Sequence, residues 1–533
     1  MDYPKTYRRV FWCALVLWML GYWYTPEVHA QNKDYKSRWK KVNGFMDKKL
    51  PKSALKEVEE IYKLAKKDNN SAQLVKAIVH KLKYVVMVQE NDLVKSLSDM
   101  QAEVKNAKFP VKPVLHSMLG QIYWQYYERN RYRYRNRTAS TKDFKPADLN
   151  TWDLRRITEE TMRQYKLSLA NAEKLKKVKI DIYDDIIVKG NKEQRKLRPT
   201  LYDFLAHRAI SFFRSSEPSL TKPAYQFTLN KPEYLQDAEA FAKLKIDSKD
   251  TTSYKFYALT ILQDLIKFHL NDSDLSSLVD ADLTRLRFVY DHLSTTVKKE
   301  LYREALERLE KKSIKFPIST EVTYAIAKIY QQLGNSYRPL RSDKNKWQLK
   351  KTLEICEKAM ARFPKSRGAQ QCHNLKLQVL YKRIGLRVER INVPEKPLIV
   401  SIRYKNLSQL HWRVYKVTRS WLKTNYEACY NAKKTQACFL EAAYKLKPVQ
   451  SWKTDLPNDK DYQYHRVETK IPALELGHYM LVASASPDFK TDANAVASEV
   501  VTMSNISYVY RNVNAKKITQ VYVFNRTSTT GTK

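Results

Sequence analysis

The stretch that decides the fold is Pro397-Leu-Ile-Val-Ser-Ile-Arg-Tyr-Lys405, in which apolar and polar residues alternate. The same alternation recurs in Leu410-His-Trp-Arg-Val-Tyr-Lys-Val417 and in Leu476-Gly-His-Tyr-Met-Leu-Val-Ala-Ser484. A period of two is typical of half-buried β-strands, because successive side chains of a strand point to opposite faces of its sheet. We therefore predict an antiparallel β-sandwich over residues 391–503.

The long segment before the sandwich, residues 31–388, has the apolar spacing of paired helices. One apolar stripe comprises Leu55, Val58, Ile61, Tyr62 and Ala65, and a second comprises Leu74, Ile78 and Leu82. The polar residues 66–71 separate the two stripes, so this part of the chain is expected to be a helical hairpin. The chain has only 9 glycines, which suits long helices better than tight β-hairpins. The predicted fold is multidomain, first α and then β.

Residues 330–364 suggest the kind of helical array. Six residues in this segment fit the tetratricopeptide spacing if about six residues are inserted at 338–343; they are Tyr330, Leu333, Gly334, Tyr337, Ala359 and Pro364. Small residues at such positions let two helices approach closely, and the proline ends the second helix. We expect a tetratricopeptide-like array, which joins the sandwich at a hinge, Val393-Pro-Glu-Lys-Pro397.

The amino terminus has the pattern of a secretory signal peptide over residues 1–30. Lys5, Arg8 and Arg9 precede an apolar stretch at residues 10–24, and Val28-His-Ala30 offers small residues for a cleavage site after Ala30. The apolar stretch is shorter than the ~20 residues that span a bilayer, which favours cleavage over an uncleaved signal anchor. We predict a protein secreted across the inner membrane, in the periplasm or the outer envelope, with no transmembrane span after signal removal.

The chain is strongly basic, with a formal net charge of +41. Such an excess attracts nucleic acid, anionic lipid or acidic glycans nonspecifically. The cations are nevertheless spread over every segment, which is typical of solvated helix faces. An anionic envelope surface remains a candidate partner, and dedicated nucleic-acid binding is the less favoured alternative.

One basic and aromatic stretch, residues 121–137, has two interpretations. It interleaves five tyrosines and a tryptophan with arginines, the combination that stacks on bases and pairs with phosphates. Helical spacing of Tyr123, Tyr127, Asn130 and Tyr134 favours a simpler role, a helix face that packs on its neighbour with arginines stacked on rings.

Asp203 and His207 form a candidate site in Arg198-Pro-Thr-Leu-Tyr-Asp-Phe-Leu-Ala-His-Arg208, which begins like a helix. Because they are four residues apart on one helix face, the two side chains could share a proton or hold a metal. No third ligand is in view, so a structural pair is favoured over a metal site.

The mature chain has four cysteines, and we predict that they form two disulfides. Cys356 and Cys372 lie on two successive predicted helices that a bridge would join. Cys429 and Cys438 flank a lysine-rich excursion inside the predicted sandwich. Zinc binding is disfavoured because no Cys-x-x-Cys spacing occurs, and no cofactor is expected.

Several motifs resemble the amino-terminal part of the bacterial alpha-2-macroglobulin family in its Bacteroidetes form. They are Trp152-Asp-Leu, Arg198-Pro-Thr-Leu-Tyr-Asp-Phe-Leu-Ala-His-Arg208, Arg362-Phe-Pro-Lys-Ser-Arg-Gly-Ala-Gln-Gln-Cys372, Asp461-Tyr-Gln-Tyr-His465 and Ile471-Pro-Ala-Leu-Glu-Leu-Gly-His-Tyr-Met-Leu-Val-Ala-Ser484. The resemblance implies an envelope protein in which macroglobulin-type β-sandwiches follow a helical region. In complete family members, it implies a trap for foreign endopeptidases.

The departures from this family concern the trap itself. The family's bait segment and its Cys-Gly-Glu-Gln thioester are both missing, since no cysteine here is followed by Gly-Glu-Gln. Two strand-like stretches, Ser504-Asn-Ile-Ser-Tyr-Val-Tyr-Arg511 and Gln520-Val-Tyr-Val-Phe-Asn-Arg526, resemble the start of a second sandwich. Two strands cannot close a sandwich, so we expect residues 504–533 to be a truncated start of that domain.

The expected function is that of an exported, noncatalytic alpha-2-macroglobulin family protein, nominally an endopeptidase inhibitor. The alternative is a helical-repeat adaptor that binds an anionic partner in the cell envelope, with the sandwich as a spacer. An envelope hydrolase is disfavoured because Gly-x-Ser-x-Gly, His-Glu-x-x-His and a phosphate-binding glycine loop are all missing from the sequence.

Overall fold

The computed structural model describes residues 33–88, 93–135, 149–187, 190, 192–215, 225–431, 435–513 and 518–526. The chain divides into two compact units, Met1–Val322 and Thr323–Lys533. Helices fill the described part of the first unit, and the strands all lie in the second. The predicted order, helices first and β-strands second, is confirmed. The predicted signal peptide and Ala30 lie outside the described residues.

Most of the described residues of the first unit lie in α-helices. They are α1 Lys33–Asp47, α2 Pro51–Lys67, α3 Ser71–Val88, α4 Leu93–Asn106, α5 Val111–Arg129, α6 Arg131–Arg135, α7 Leu154–Leu169, α8 Ala172–Lys176, α9 Lys192–Lys196, α10 Leu201–Phe213, α11 Ala238–Lys243, α12 Tyr254–His269, α13 Ser276–His292 and α14 Lys298–Ser313. Single turns of 3-10 helix occur at Leu149–Thr151, Ile180–Tyr183 and Pro232–Leu235. In the described part of the chain, no helix is long and apolar enough to cross a membrane.

The hairpin predicted from the two apolar stripes is present as α2 and α3. Its first helix begins with Pro51, which suits a first helical turn because a proline has no N–H to leave unpaired there. Val58, Ile61 and Ala65 on α2 are fully buried, as is Ala77 on α3, and they share one hydrophobic cluster with Trp39 of α1. The apolar face of each helix is thus covered by its neighbours in sequence, as the spacing predicted.

The second unit combines helices with two larger β-sheets and a two-stranded ribbon. Its elements are α15 Ser319–Asn335, which spans the unit boundary, α16 Gln348–Arg362, α17 Arg367–Leu380, β1 Arg383–Val388, β2 Ile391–Asn392, β3 Leu398–Lys405, β4 Gln409–Val417, α18 Arg419–Asn431, α19 Thr435–Tyr444, β5 Gln450–Asp455, β6 Tyr464–Ile471, β7 Gly477–Ser484, β8 Val496–Met503, β9 Ile506–Val513 and β10 Ile518–Asn525. The three stretches predicted as strands lie in β3, β4 and β7.

The sheets have three, five and two strands. The strand order is β1-β3-β6 in the first sheet and β2-β8-β7-β4-β5 in the second, and β9 pairs with β10 in a separate ribbon. Every pairing is antiparallel except the short parallel pair of β2 with β8. In the three-stranded sheet, β3 is central, with Arg403 opposite Gly385 on one side and opposite Arg466 on the other.

One hydrophobic cluster joins the three-stranded and five-stranded sheets. Val400 and Ile402 from β3 lie in the same cluster as Trp412 from β4 and Leu481 from β7, and all four are almost completely buried. The Trp412 ring stacks on the Trp452 ring of β5 at 5.6 Å between centroids. These side chains occupy every second position of their strands, which explains the alternation in the sequence.

The opposite face of the five-stranded sheet is covered by helices α18 and α19. Leu440 and Ala443 of α19 are buried in one cluster with Tyr415 of β4 and with Met480 and Val482 of β7. The sheet is therefore buried on both faces in this region, and β7 accordingly reads as a nearly continuous apolar run.

The boundary between the helical region and the β region differs from the prediction. The helical region was expected to reach residue 388, but α17 ends at Leu380 and residues 383–388 form β1. Ile384, Leu386 and Val388 alternate with exposed residues, a period of two that was attributed to the helical part. The predicted hinge at residues 393–397 therefore connects two strands, and it does not end a helix.

Residues 504–533 were expected to contain two strands, and the structure has them as β9 and β10. Their eight paired positions run from Ile506 opposite Asn525 to Val513 opposite Ile518. The large apolar side chains of this ribbon, such as Tyr508 and Phe524, are exposed. That the ribbon is the start of a further sandwich stays a prediction.

Candidate functional site: the buried aspartate and histidine network

The sequence-predicted residue Asp203 lies in the first turn of α10, where it closes a capping box with Thr200. The Asp203 N–H donates to the Thr200 hydroxyl at 3.3 Å, and the Thr200 N–H donates to Asp203 Oδ2 at 2.9 Å. The Thr200 hydroxyl also donates to this Oδ2 at 2.7 Å. This reciprocal arrangement pairs N–H groups that the first helical turn would otherwise leave without a partner. One carboxylate oxygen of Asp203 is thereby committed to holding the start of the helix.

The other carboxylate oxygen of Asp203 contacts His269, the last residue of α12. Asp203 Oδ1 lies 2.7 Å from His269 Nε2, and His269 Nδ1 lies 2.6 Å from Asp272 Oδ2. Only 2 % of the His269 side chain is exposed. Because each ring nitrogen faces a carboxylate acceptor, the arrangement favours an imidazolium that donates through both nitrogens.

The electrostatics of His269 agree with this geometry. Burial by itself lowers the pKa of a histidine, but the hydrogen bonds and charges of Asp203 and Asp272 outweigh burial here and raise the pKa of His269 above its usual value. The positive charge therefore lies between two carboxylates in the interior of the unit, and it neutralises part of the charge that those carboxylates bring with them.

His207 does not pair with Asp203 as the four-residue spacing predicted. Its Nε2 lies 3.4 Å from Asp280 Oδ2 on α13, and Arg198 Nε lies 3.1 Å from the same oxygen. Burial lowers the pKa of His207 to about 4, with Asp280 opposing that shift. The spacing brought the two residues to one helix, but the carboxylate of Asp203 turns to its own capping box and to His269.

A structural pair of Asp203 and His207 was the favoured interpretation of this segment; in the structure Asp203 contacts His269 and His207 contacts Asp280, each on another helix. No group of three histidine, cysteine or carboxylate side chains within the described ranges is arranged to hold a metal ion. His269, Asp272 and Asp280 were missed from the sequence because they lie far along the chain, on α12, on α13 and in the turn between them; His269 is 66 residues from Asp203. Only the fold brings them together.

Two further charged clusters stabilise the same unit. The Tyr202 hydroxyl hydrogen-bonds to Asp264, whose carboxylate also lies 3.3 Å from Lys176 Nζ. Elsewhere in the unit, the fully buried Arg285 pairs with Asp282 and donates to the carbonyl oxygens of Tyr234 and Gln236, both at 2.8 Å. The Arg285 guanidinium also lies 4.4 Å from the centre of the Phe241 ring. A buried ion pair of this kind persists because its remaining N–H groups are satisfied.

The tyrosine-rich stretch at residues 121–137 packs against its surroundings within the part that the structure describes. Tyr123, Tyr127 and Tyr134 are each at most 5 % exposed. The Tyr123 ring stacks on Trp152 at 5.5 Å, and the Tyr134 hydroxyl donates to the Leu149 carbonyl at 3.3 Å. The packing interpretation is confirmed for these three rings, while residues 136 and 137 lie outside the described residues.

Of the two predicted cysteine pairs, one forms a disulfide and the other does not. Cys429 and Cys438 form a disulfide with their Cα atoms 5.7 Å apart, joining α18 to α19. Cys356 and Cys372, expected to form the other bridge, are buried thiols on α16 and α17 that no disulfide joins. Hydrogen bonding to Cys372 lowers the pKa of the Cys356 thiol, although burial opposes this shift. The two residues are neighbours as predicted, but they pack as small apolar side chains beside Ala327 and Leu375.

Comparison with known proteins adds no relative, because no family model and no curated protein matches the chain. The function therefore has to be argued from the geometry and from the sequence motifs.

Proposed function

We propose that this chain is an exported, noncatalytic protein of the alpha-2-macroglobulin type, nominally an endopeptidase inhibitor, whose retained role is that of a scaffold. The observation that carries this proposal is the two-sheet arrangement after a helical region. The inner faces of the three-stranded and five-stranded sheets share a core that contains Val400, Trp412 and Leu481. A core shared between two sheets supports a β-sandwich, and a macroglobulin-type sandwich is what the family resemblance implies.

The disulfide supports export. Cys429 and Cys438 are joined in the helical pair that covers the five-stranded sheet. Disulfides persist in oxidising compartments such as the bacterial periplasm and are rare in the cytosol. A bridge at this position agrees with a secretory signal over residues 1–30 and with a final location in the periplasm or the outer envelope.

The helices before the sheets support a tetratricopeptide-like array. Gly334 on α15 approaches α16 so closely that an added Cβ would lie 2.7 Å from Leu349 Cγ. Close approach at a small residue is what the repeat spacing requires at this position. Arrays of such hairpins generally serve as binding surfaces, which agrees with a noncatalytic scaffold.

The sequence argues against a complete protease trap in this chain. The four residues Cys-Gly-Glu-Gln are missing, and Cys356 and Cys372 are buried thiols that a substrate could not reach. The charged network around Asp203 and His269 is likewise enclosed by its own helices. The proposed role is therefore to position partners, without covalent capture of an endopeptidase.

The test is a protection assay with the mature chain, residues 31–533. Purified protein is incubated in equimolar amounts with endopeptidases of different specificity, together with one large protein substrate and one small peptide substrate. We expect both substrates to be cleaved at the rates measured without the chain, because the bait and thioester are missing. A complete alpha-2-macroglobulin serves as the positive control. Stoichiometric protection of the large substrate alone would contradict the missing-trap argument.

A further inference from the structure

The outer face of the three-stranded sheet carries a concentration of positive charge. The inner positions of β1, β3 and β6 lie in the core, so the alternate positions point outward. Six cations occupy these outward positions: Arg383, Arg387, Arg403, Lys405, Arg466 and Lys470. Glu468 is the one carboxylate among the outward positions of these three strands. We call these six residues the basic face.

The strand register places like charges directly opposite each other. Arg403 pairs with Arg466, and Arg383 pairs with Lys405. Directly opposed like charges on one face of an antiparallel pair destabilise the sheet. Burial and the neighbouring charge of Arg383 both lower the pKa of Lys405. The sheet thus bears an electrostatic cost that its own fold does not require, since uncharged residues would suit an outward position equally well.

The basic face has little internal compensation among the described residues. None of its six cations lies within ion-pair distance of a carboxylate in that part of the chain. Instead, three of them surround Tyr464. Arg383 donates to the Tyr464 hydroxyl at 3.1 Å, Arg403 lies 4.1 Å from the ring centre and Lys405 lies 5.7 Å from it. Cation–π contact moderates the repulsion but leaves the net charge in place.

The basic face is also the open side of the two-sheet core. The outer face of the five-stranded sheet is covered by α18 and α19, whereas Ile399, at the end of the basic face where β3 pairs only with β6, is 58 % exposed. An uncovered and positively charged sheet face is complementary to an extended anionic surface. The charge of the basic face, and not its apolar content, therefore indicates an anionic partner.

We propose that the basic face docks on an anionic lipid surface, with its four exposed arginines and Lys470 contacting the phosphate groups of the lipids, while the buried Lys405 adds to the positive field. Clusters of cations attract a protein to anionic lipid in this way, and the exposed Ile399 would lie at the headgroup level. Single-stranded nucleic acid fits less well, because it requires free aromatic rings for base stacking. Tyr464 is the one ring among the outward positions of these strands, and Arg403 and Lys405 already lie against it.

The proposed binding surface for the anionic partner is thus the three-stranded sheet, whereas the sequence placed that surface on the helical array. It is independent of the inhibitor proposal, because it concerns where the protein is held and not what it captures. It also differs from a general effect of the +41 net charge, since it assigns binding to the five exposed cations of one sheet face.

The experiment measures partition of the mature chain onto vesicles. The vesicles contain phosphatidylglycerol and phosphatidylcholine in equal parts, and vesicles of phosphatidylcholine alone provide the neutral comparison. We expect binding to the anionic vesicles only, with affinity that falls as salt is raised. The double variant Arg403→Gln, Arg466→Gln should bind roughly thirtyfold more weakly, because two contacts to the lipid charge are lost.

The matched control removes the same number of charges elsewhere in the unit. Lys423 and Lys453 are exposed residues of α18 and β5, and Lys423→Gln, Lys453→Gln should change binding less than about twofold if the basic face is the docking site. The variant Arg403→Lys, Arg466→Lys keeps the charge and should retain binding, so loss of folding is distinguished from loss of contact. Equal weakening in the glutamine variant and the control would overturn the proposal. So would tighter binding of a single-stranded oligonucleotide that depends on the same arginines.

Discussion

At the scale of single residues, the environment decides what each side chain does. Asp203 and His207 share a helix face in the sequence, yet Asp203 contacts His269 at 2.7 Å while His207 lies 3.4 Å from Asp280. Their partners come from two other helices, so no spacing rule could reveal them. Burial lowers the pKa of both histidines, but only His269 is held between two carboxylates, whose hydrogen bonds and charges raise its pKa above the usual value.

The raised pKa of His269 predicts a pH-dependent stability. A histidine whose folded pKa exceeds its unfolded value contributes stability that is fully present below about pH 6.5 and is lost as the pH rises through the folded pKa. We therefore expect the free energy of unfolding to fall as the pH rises from about 6.5 through the raised pKa of folded His269. The measurement is denaturant unfolding of the first unit at a series of pH values.

The control for this prediction is His269→Gln, which cannot carry the charge. Its free energy of unfolding should be lower at about pH 6 but nearly flat over the same pH range. At acidic pH, the change in the free energy of unfolding cannot be assigned to one residue, because His80, His116 and His207 all have lowered pKa values and all favour the neutral form. An alkaline slope that persists in the His269→Gln variant would show that another group causes it.

Gly334 gives a second prediction at the residue scale. The Cβ of an alanine at this position would lie 2.7 Å from Leu349 Cγ and 3.0 Å from the Leu349 backbone nitrogen, so α15 and α16 would have to move apart. We expect Gly334→Ala to lower the free energy of unfolding by about 1–3 kcal/mol. Thermal unfolding of the mature chain measures the effect.

The matched variant is Gly44→Ala in α1, where an added Cβ meets no other atom within 4 Å. Here the better helix propensity of alanine should dominate and raise the free energy of unfolding by up to about 1 kcal/mol. Opposite signs at the two glycines support close helix packing at Gly334. The same sign at both positions would indicate that the α15 and α16 pair adapts freely.

At the scale of elements, the apolar period of the helices and strands and the pairing of neighbouring helices could be predicted from the sequence. The residues at which the elements begin and end could not. The apolar stripes of α2 and α3 and the alternation in β3, β4 and β7 identified these elements from the sequence. The strand β1 was missed because its six residues follow directly after the helix that ends at Leu380. The helices α18 and α19 within the β region were also missed, since only their position over the five-stranded sheet explains their apolar residues.

The disulfide between α18 and α19 yields a prediction about compartment. If the chain is exported, Cys429 and Cys438 are oxidised in the cell, while Cys356 and Cys372 remain thiols. Maleimide labelling of the acid-quenched, denatured protein should modify only the latter two, and reduction should make all four reactive. Labelling of all four without reduction would argue against an oxidising compartment. Labelling of none would restore the second bridge that the sequence predicted.

Loss of this bridge should destabilise the covering helices in particular. The double variant Cys429→Ser, Cys438→Ser removes a bridge over 9 residues of sequence separation. We expect a loss of about 2–3 kcal/mol, with faster hydrogen exchange in α18 and α19 than in β7. Uniform loss of protection across the second unit would instead show that the sheet depends on the bridge.

At the scale of the whole molecule, the fold brings positively charged residues from separate strands together on one surface. The sequence has a net charge of +41 spread over all its segments, which by itself specifies no surface. The antiparallel register places Arg403 opposite Arg466 and Arg383 opposite Lys405, so dispersed cations become one basic face. The vesicle experiment belongs to this scale, because the face exists only when three strands pair.

The sequence by itself determined the order of helices and strands and the nearness of each cysteine pair. These features depend on the spacing of apolar residues within one element and on residues that are close in the chain, and both can be read from the sequence. Only the tertiary structure places His269 between Asp203 and Asp272. It also leaves Cys356 and Cys372 without a disulfide, and it brings six cations to one sheet face. The physical reason is that burial and strand register join residues far apart in the chain, and both are set by packing of the whole unit.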